Sequence, residues 1–241
     1  MTKKTIINAL TSLALLQTPT QIATAIAILF HSIGLVGILV FKSELIIQST
    51  PVNLILSFGL LVWTQQEKNW QFYSFIIVCF ITGYVVEVIG VNTGLLFGNY
   101  SYGSVLGVKW NAVPLLIGIN WIIIIICCGI SVHILLSKAI SKVSLASKQP
   151  PKILKILSLV TDGATLAVAF DWLMEPVAVK LGFWSWGNDG SIPFYNYVCW
   201  FIISMLLLIV FHVANINKKN IFAVHLLLIQ TMFFLILRTF L

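Results

Sequence analysis

Stretches of about twenty apolar residues, the length an α-helix needs to cross the ~30 Å hydrocarbon core of a bilayer, recur along nearly the whole of this 241-residue chain. Charged residues make up only 9% of it, whereas a soluble domain carries roughly 25% to cover its surface. Most of the outer surface must therefore face lipid. The pattern leaves no room for a separate soluble module, so residues 1–241 read as a single membrane domain of the all-α, polytopic class.

Seven segments have the length and apolarity of spans: approximately Ile22–Phe41, Pro51–Trp63, Phe72–Ile89, Val113–Leu136, Ile153–Leu173, Tyr197–Ala214 and Ile221–Leu237. The second is the shortest, and Pro51 suits its first turn, where a missing N–H costs nothing. The basic residues test the count. With the N-terminus in the cytoplasm and the chain alternating, Lys3, Lys4, Lys68, Lys138, Lys142, Lys148, Lys152, Lys155, Lys218 and Lys219 fall inside, and Lys42, Lys109, Lys180 and Arg238 outside. That ten-to-four split of the fourteen basic residues is the positive-inside asymmetry. It explains the net charge of +7 without nucleic acid, leaving the lipid bilayer as the partner, with anionic headgroups a secondary attraction for Lys138–Lys155.

Lys3 and Lys4 ahead of Ile6–Leu16, with Ala23–Ala25 following, imitate a signal peptide. The supposed cleavage site lies within the first span, so residues 1–20 read as a retained interfacial segment. The four cysteines (Cys79, Cys127, Cys128, Cys199) sit in apolar stretches without a CxxC pair, which indicates buried thiols and neither a disulfide framework nor a zinc site. His31, His133, His212 and His225 show no ligand spacing and read as packing groups. No nucleotide-binding fingerprint is present, and no cofactor or metal is expected. Asn99-Tyr100-Ser101 matches the glycosylation pattern.

Two connections on the expected outer side differ from the basic inner ones. Val91–Asn111 and Glu175–Asn196 are rich in Gly, aromatic and amide residues, and the rings are expected to fold back at the membrane surface. For any one of them an interfacial aromatic belt is the plainer explanation. Gly90, Gly94 and Gly98 fall here as turn formers.

Carboxylates within spans are costly and are functional candidates by default. Glu87, Asp162, Asp171 and Glu175 belong to spans or their ends. Alternation brings Glu87, Asp171 and Glu175 to the outer side. Asp171 and Glu175 lie four residues apart, on one helix face and about 6 Å apart along the axis. Asp162, nine residues from Asp171, points roughly the other way and calls for a separate partner in an inner polar network. Glu175 precedes Pro176 and is placed to end its helix. A carboxyl group kept protonated in an apolar site acts as a general acid, and ring faces stabilise a cation formed beside it. Asn92, Thr93, Tyr100, Tyr102, Asn120, Trp121, Trp184, Trp186, Asn196 and Trp200 are the neighbours able to shape such a site.

Two runs carry a resemblance. The first is Glu87–Gly107, continuing to Val113-Pro114 and Asn120-Trp121. The second is Asp171–Trp186, continuing to Ile192-Pro193, Asn196-Tyr197 and Trp200-Phe201. Together they resemble the membrane carotenoid 1,2-hydratase family, the CruF-type and bisanhydrobacterioruberin hydratases. The resemblance implies a cofactor-independent hydro-lyase of a bacterial inner membrane. It would add water across the terminal C1–C2 double bond of a membrane-embedded acyclic carotenoid such as lycopene, giving a tertiary 1-hydroxy group, with other carotenoid-pathway enzymes as neighbours. Glu87 and Asp171 are then expected as acid and water-positioning base, in either order, with Glu175 beside them. The aromatic residues would shield the cation, and Asn92, Asn120 and Asn196 would hold the water. A membrane lycopene cyclase would share the protonation step, and a small-molecule or proton transporter would share the intramembrane acids. No inverted repeat favours the transporter.

Overall fold

The computed structural model describes residues 19–143, 151–187 and 190–241. Among them run eight helices: α1 (Pro19–Leu39), α2 (Glu44–Gln48), α3 (Thr50–Thr64), α4 (Trp70–Thr93), α5 (Leu116–Val143), α6 (Lys152–Lys180), α7 (Phe194–Val213) and α8 (Ile221–Phe240). Six are long and apolar enough to cross a membrane. Their outward residues are apolar too, among them Ile77, Ile81, Ile202 and Leu206, the inverse of a soluble surface. The chain is an all-α, multi-pass membrane protein. The expected second span coincides with α3, whose 15 residues rise only about 22 Å, short of the bilayer core. The interfacial segment expected over residues 1–20 lies almost wholly outside the described residues.

The helices alternate in direction. Asn220 Nδ2 donates to the Leu61 carbonyl at 3.1 Å, and Gln65 Nε2 to that of Asn217 at 2.8 Å. These bonds place the end of α3 beside the start of α8. Thr24 Oγ1 lies 2.9 Å from His225 Nδ1, and His31 meets Phe233 edge-on, so α1 and α8 run parallel. Lys68, Lys152, Lys155, Lys218 and Lys219 therefore gather at one end (the lysine end), and Lys42, Lys109, Lys180 and Arg238 at the other (the loop end).

The centre of the bundle is α5. Every residue from Trp121 to Val132 is buried, as a helix apolar on all sides requires, and it packs against α3, α4, α6, α7 and α8. Glycine notches set the α4–α5 spacing. A Cβ on Gly83 would stand 2.4 Å from the Trp121 ring, and one on Gly118 would stand 2.6 Å from Phe80.

Several helices outrun the expected spans, and two of them carry the candidate carboxyl groups. α4 continues from Ile89 to Thr93 and stops at Gly94, whose φ of 67° is the left-handed cap. Gly90 therefore lies inside the helix instead of the loop. α6 passes through Pro176 to Lys180, so Glu175 does not end it. Proline lacks the N–H that would bond the Trp172 carbonyl one turn back. Arg238 replaces it, donating from Nη1 to Trp172 O at 2.8 Å with its guanidinium 3.9 Å from the Trp172 ring. Arg238→Ala should cost about 1–3 kcal/mol, the usual worth of a charged hydrogen bond plus a cation–π contact. The check is the thermal midpoint in lipid nanodiscs, where an unchanged value would show that Trp172 has another donor.

Candidate active site

At the loop end, the connection after α4 carries β1 (Tyr100–Tyr102), β2 (Lys109–Trp110) and β3 (Val113–Pro114), and the one after α6 carries β4 (Trp184–Trp186). β1 and β4 pair antiparallel, with Tyr100 opposite Trp186 and Tyr102 opposite Trp184. Each strand reads aromatic-Ser-aromatic. The period of two turns the rings to one side and sets Ser101 and Ser185 on the other, their Oγ atoms 3.2 Å apart. The side taken by the rings is the protein interior. Tyr102, Trp184 and Trp186 are each less than 10% exposed, so these rings form a lid over the helix ends, beside the carboxyl groups they were expected to neighbour, and not an interfacial belt. Trp63, Trp70, Trp110 and Trp172 are the exposed indoles among the described residues.

The lid's polar tips reach the carboxyl groups. Glu87 Oε2 accepts from Tyr100 Oη at 2.5 Å and Tyr102 Oη at 2.8 Å, and Oε1 accepts from Trp121 Nε1 at 3.0 Å. Glu175 Oε2 accepts from Trp184 Nε1 at 2.9 Å and Trp186 Nε1 at 3.0 Å. Asn196 Nδ2 spans the remaining pair, 2.9 Å from Asp171 Oδ2 and 3.4 Å from Glu175 Oε1. All these donors are neutral. Burial and the neighbouring Glu87 push the Tyr100 and Tyr102 phenols well above the usual tyrosine range, so both remain O–H donors. Asp171 Oδ1 is buried and has no hydrogen-bond partner among the described residues.

A cavity of about 20 Å³ lies among these groups, room for roughly one water. Glu87, Asp171, Glu175, Asn120, Asn196 and Trp200 stand in its wall, under the four lid rings. Trp200 stacks on Trp121 with centroids 3.9 Å apart, fixing the indole that holds Glu87. Close packing makes this reach possible: a Cβ on Gly90 would stand 2.8 Å from Tyr100 Oη.

Three candidates lie elsewhere. Asn92 Nδ2 donates to the carbonyls of Val88 and Asn111, and Thr93 Oγ1 donates to Ile89 O and accepts from Leu95 N. Both finish the end of α4. Asp162 is exposed on α6 and not part of an inner polar network. Phe97, Ile117 and Met174 line the cavity without having been foreseen. Only Met174, three residues after Asp171 on the same helix face, had a readable signal. Among the described residues, no three His, Cys, Asp or Glu side chains gather as a metal site, and the cysteines described are free and buried.

The acid cavity adjoins a mainly apolar chamber of about 70 Å³ between α1, α3, α5, α6 and α8, with His31, Asn53 and Gln230 also in its wall, the two sharing Ile117, Asn120, Met174 and Trp184. The chamber in turn shares Ile38, Thr50, Asn53 and Phe233 with a third void of about 250 Å³ between α1 and the α2–α3 turn.

The fold and site define a multi-pass membrane protein that holds three carboxyl groups under an aromatic lid at one end of its helices, next to a mainly apolar chamber. Residues 45–241 match the family model of the carotenoid biosynthesis proteins, and the chain belongs to that family. No curated protein and no solved structure matches it.

Proposed function

We propose that the protein hydrates the terminal C1–C2 double bond of an acyclic carotenoid ψ-end, in a bacterial inner membrane with the lysine end in the cytoplasm. The observation that carries this reading is Asp171 Oδ1, a buried carboxyl oxygen without a hydrogen-bond partner among the described residues, in the wall of a cavity that is roofed by aromatic rings and shares part of its wall with a mainly apolar chamber. Protonated Asp171 gives its proton to C2, and the π pair forms the new C–H bond. The positive charge left on tertiary C1 lies among the rings of the lid, whose faces attract cations. Water then attacks C1 through oxygen, and its surplus proton goes to Glu87. That carboxylate has about four lone-pair sites and only three donors, so one acceptor position remains. Both acids return to their starting states by proton exchange with solvent. The sum is alkene plus water to tertiary alcohol, with no change of oxidation level and no cofactor required. Glu175 and Asn196 position Asp171.

Expression in cells that make lycopene tests the reading. The expected product is heavier than lycopene by one water per hydrated end. Unmodified lycopene, with the protein present in the membrane, would sink the proposal. A product of unchanged mass with ring end-groups would mean cyclisation instead.

A further inference from the structure

Three voids stand in a row between the bilayer and the acids, each sharing wall residues with the next. At its outer end Phe30, Ile33 and Val52 are 41%, 49% and 60% exposed. All are apolar and lie on helices that face lipid, so the mouth between α1 and the α2–α3 turn opens sideways into the membrane and not into water. From the mouth, Ile38, Thr50, Asn53 and Phe233 lead into the chamber, and Ile117, Asn120, Met174 and Trp184 lead from it to the acid cavity.

The sizes decide how a ligand would sit. An apolar void of about 150 Å³ holds one benzene, so a chamber of about 70 Å³ takes in only a narrow chain end. The mouth, at about 250 Å³, takes the segment behind it. A long hydrocarbon cannot be swallowed whole. The short α3 helps to set this geometry. Its first turn begins beside Ile38 in the shared wall, where a full-length span would carry the wall further.

We infer that the α1/α2–α3 mouth and the chamber behind it are the binding track for the substrate hydrocarbon. The end-group of an acyclic polyene threads from the bilayer to Asp171, and the rest of the molecule stays in lipid. This rests on the proposed reaction only for the choice of end-group; the track itself calls for a long apolar chain with a narrow terminus. Gly34 lies in the wall of the mouth, where an added Cβ would already stand 3.1 Å from the Phe233 ring.

The test separates the track from the chemistry. A benzoylphenylalanine photo-crosslinker is placed at Val52, and in a second protein at Ile77 on α4, equally exposed to lipid at 58% but away from the three voids. Full-length protein in membranes containing lycopene is irradiated, and captured polyene is read by absorbance and mass. The expected result is at least tenfold more polyene at Val52 than at Ile77. Gly34→Trp should lower both capture at Val52 and pigment conversion at least tenfold, at normal membrane level. Equal capture at the two positions, capture of phospholipid acyl chains alone at Val52, or unimpaired capture and conversion by Gly34→Trp would overturn the track. Selective capture at Val52 without any hydrated pigment would leave the track standing and remove the reaction.

Discussion

Asp171→Asn is expected to lower formation of the 1-hydroxy carotenoid by roughly 10²- to 10⁴-fold, the usual worth of a general acid, with the protein still in the membrane at its normal level. The substitution is close to isosteric, and its structural cost is small for a specific reason. Oδ2 accepts from Asn196, a bond that an amide oxygen can keep. Oδ1 has no partner among the described residues, so an NH2 in its place breaks no bond seen there. What changes is that an amide cannot deliver a proton. Asp162→Asn is the matched control, because Asp162 is exposed on the same helix and should leave pigment conversion within about twofold, as surface changes usually do. Chromatography and mass spectrometry of pigments from lycopene-making cells provide the measurement. Near-normal hydration by Asp171→Asn and also by Glu87→Gln would remove the acid–base pair.

The helices and their direction were legible because bilayer length and lysine asymmetry are both written along the chain. Glu87, Asp171 and Glu175 were legible for a related reason: a carboxyl group in an apolar stretch stands out against its background. The lid was not. Tyr100-Ser101-Tyr102 and Trp184-Ser185-Trp186 are three-residue strands more than eighty positions apart, too short for periodicity to be read from either alone. Aromatic residues near a helix end also suit an interfacial belt equally well. Only the pairing turns the rings inward. The continuation of α6 through Pro176 was hidden in the same way, since its remedy is Arg238 on another helix. Asn92 and Thr93 look like site residues by proximity to Glu87 in sequence. On a helix, however, residues five and six positions on occupy other faces, and there they serve the helix end. The chamber leaves no local trace, because its wall is assembled from five helices and both loops, from residues far apart in sequence.

Glu87→Gln should abolish hydration too, but with a second signature that Asp171→Asn lacks. Three donors converge on this side chain. An amide has one acceptor oxygen and brings two N–H donors of its own. Trp121 Nε1 is donor-only and will claim the oxygen, leaving the NH2 against two phenols. One phenol can turn and accept, whereas the other is left as a buried donor without a partner, at a cost of about 1–3 kcal/mol. The thermal midpoint in nanodiscs should therefore fall by several degrees, at about 2–4 °C per kcal/mol for a chain of this size. Tyr100→Phe in the same protein removes the surplus donor, so the double variant should regain most of the lost midpoint while remaining inactive. That pattern distinguishes a Glu87 that takes a proton from one that merely ties down the lid. If the double variant recovered activity along with stability, Glu87 would be a structural anchor, and the water's proton would have to leave by way of Asp171 or Glu175. If the midpoint of Glu87→Gln did not fall at all, the three-donor arrangement around Glu87 would itself be wrong.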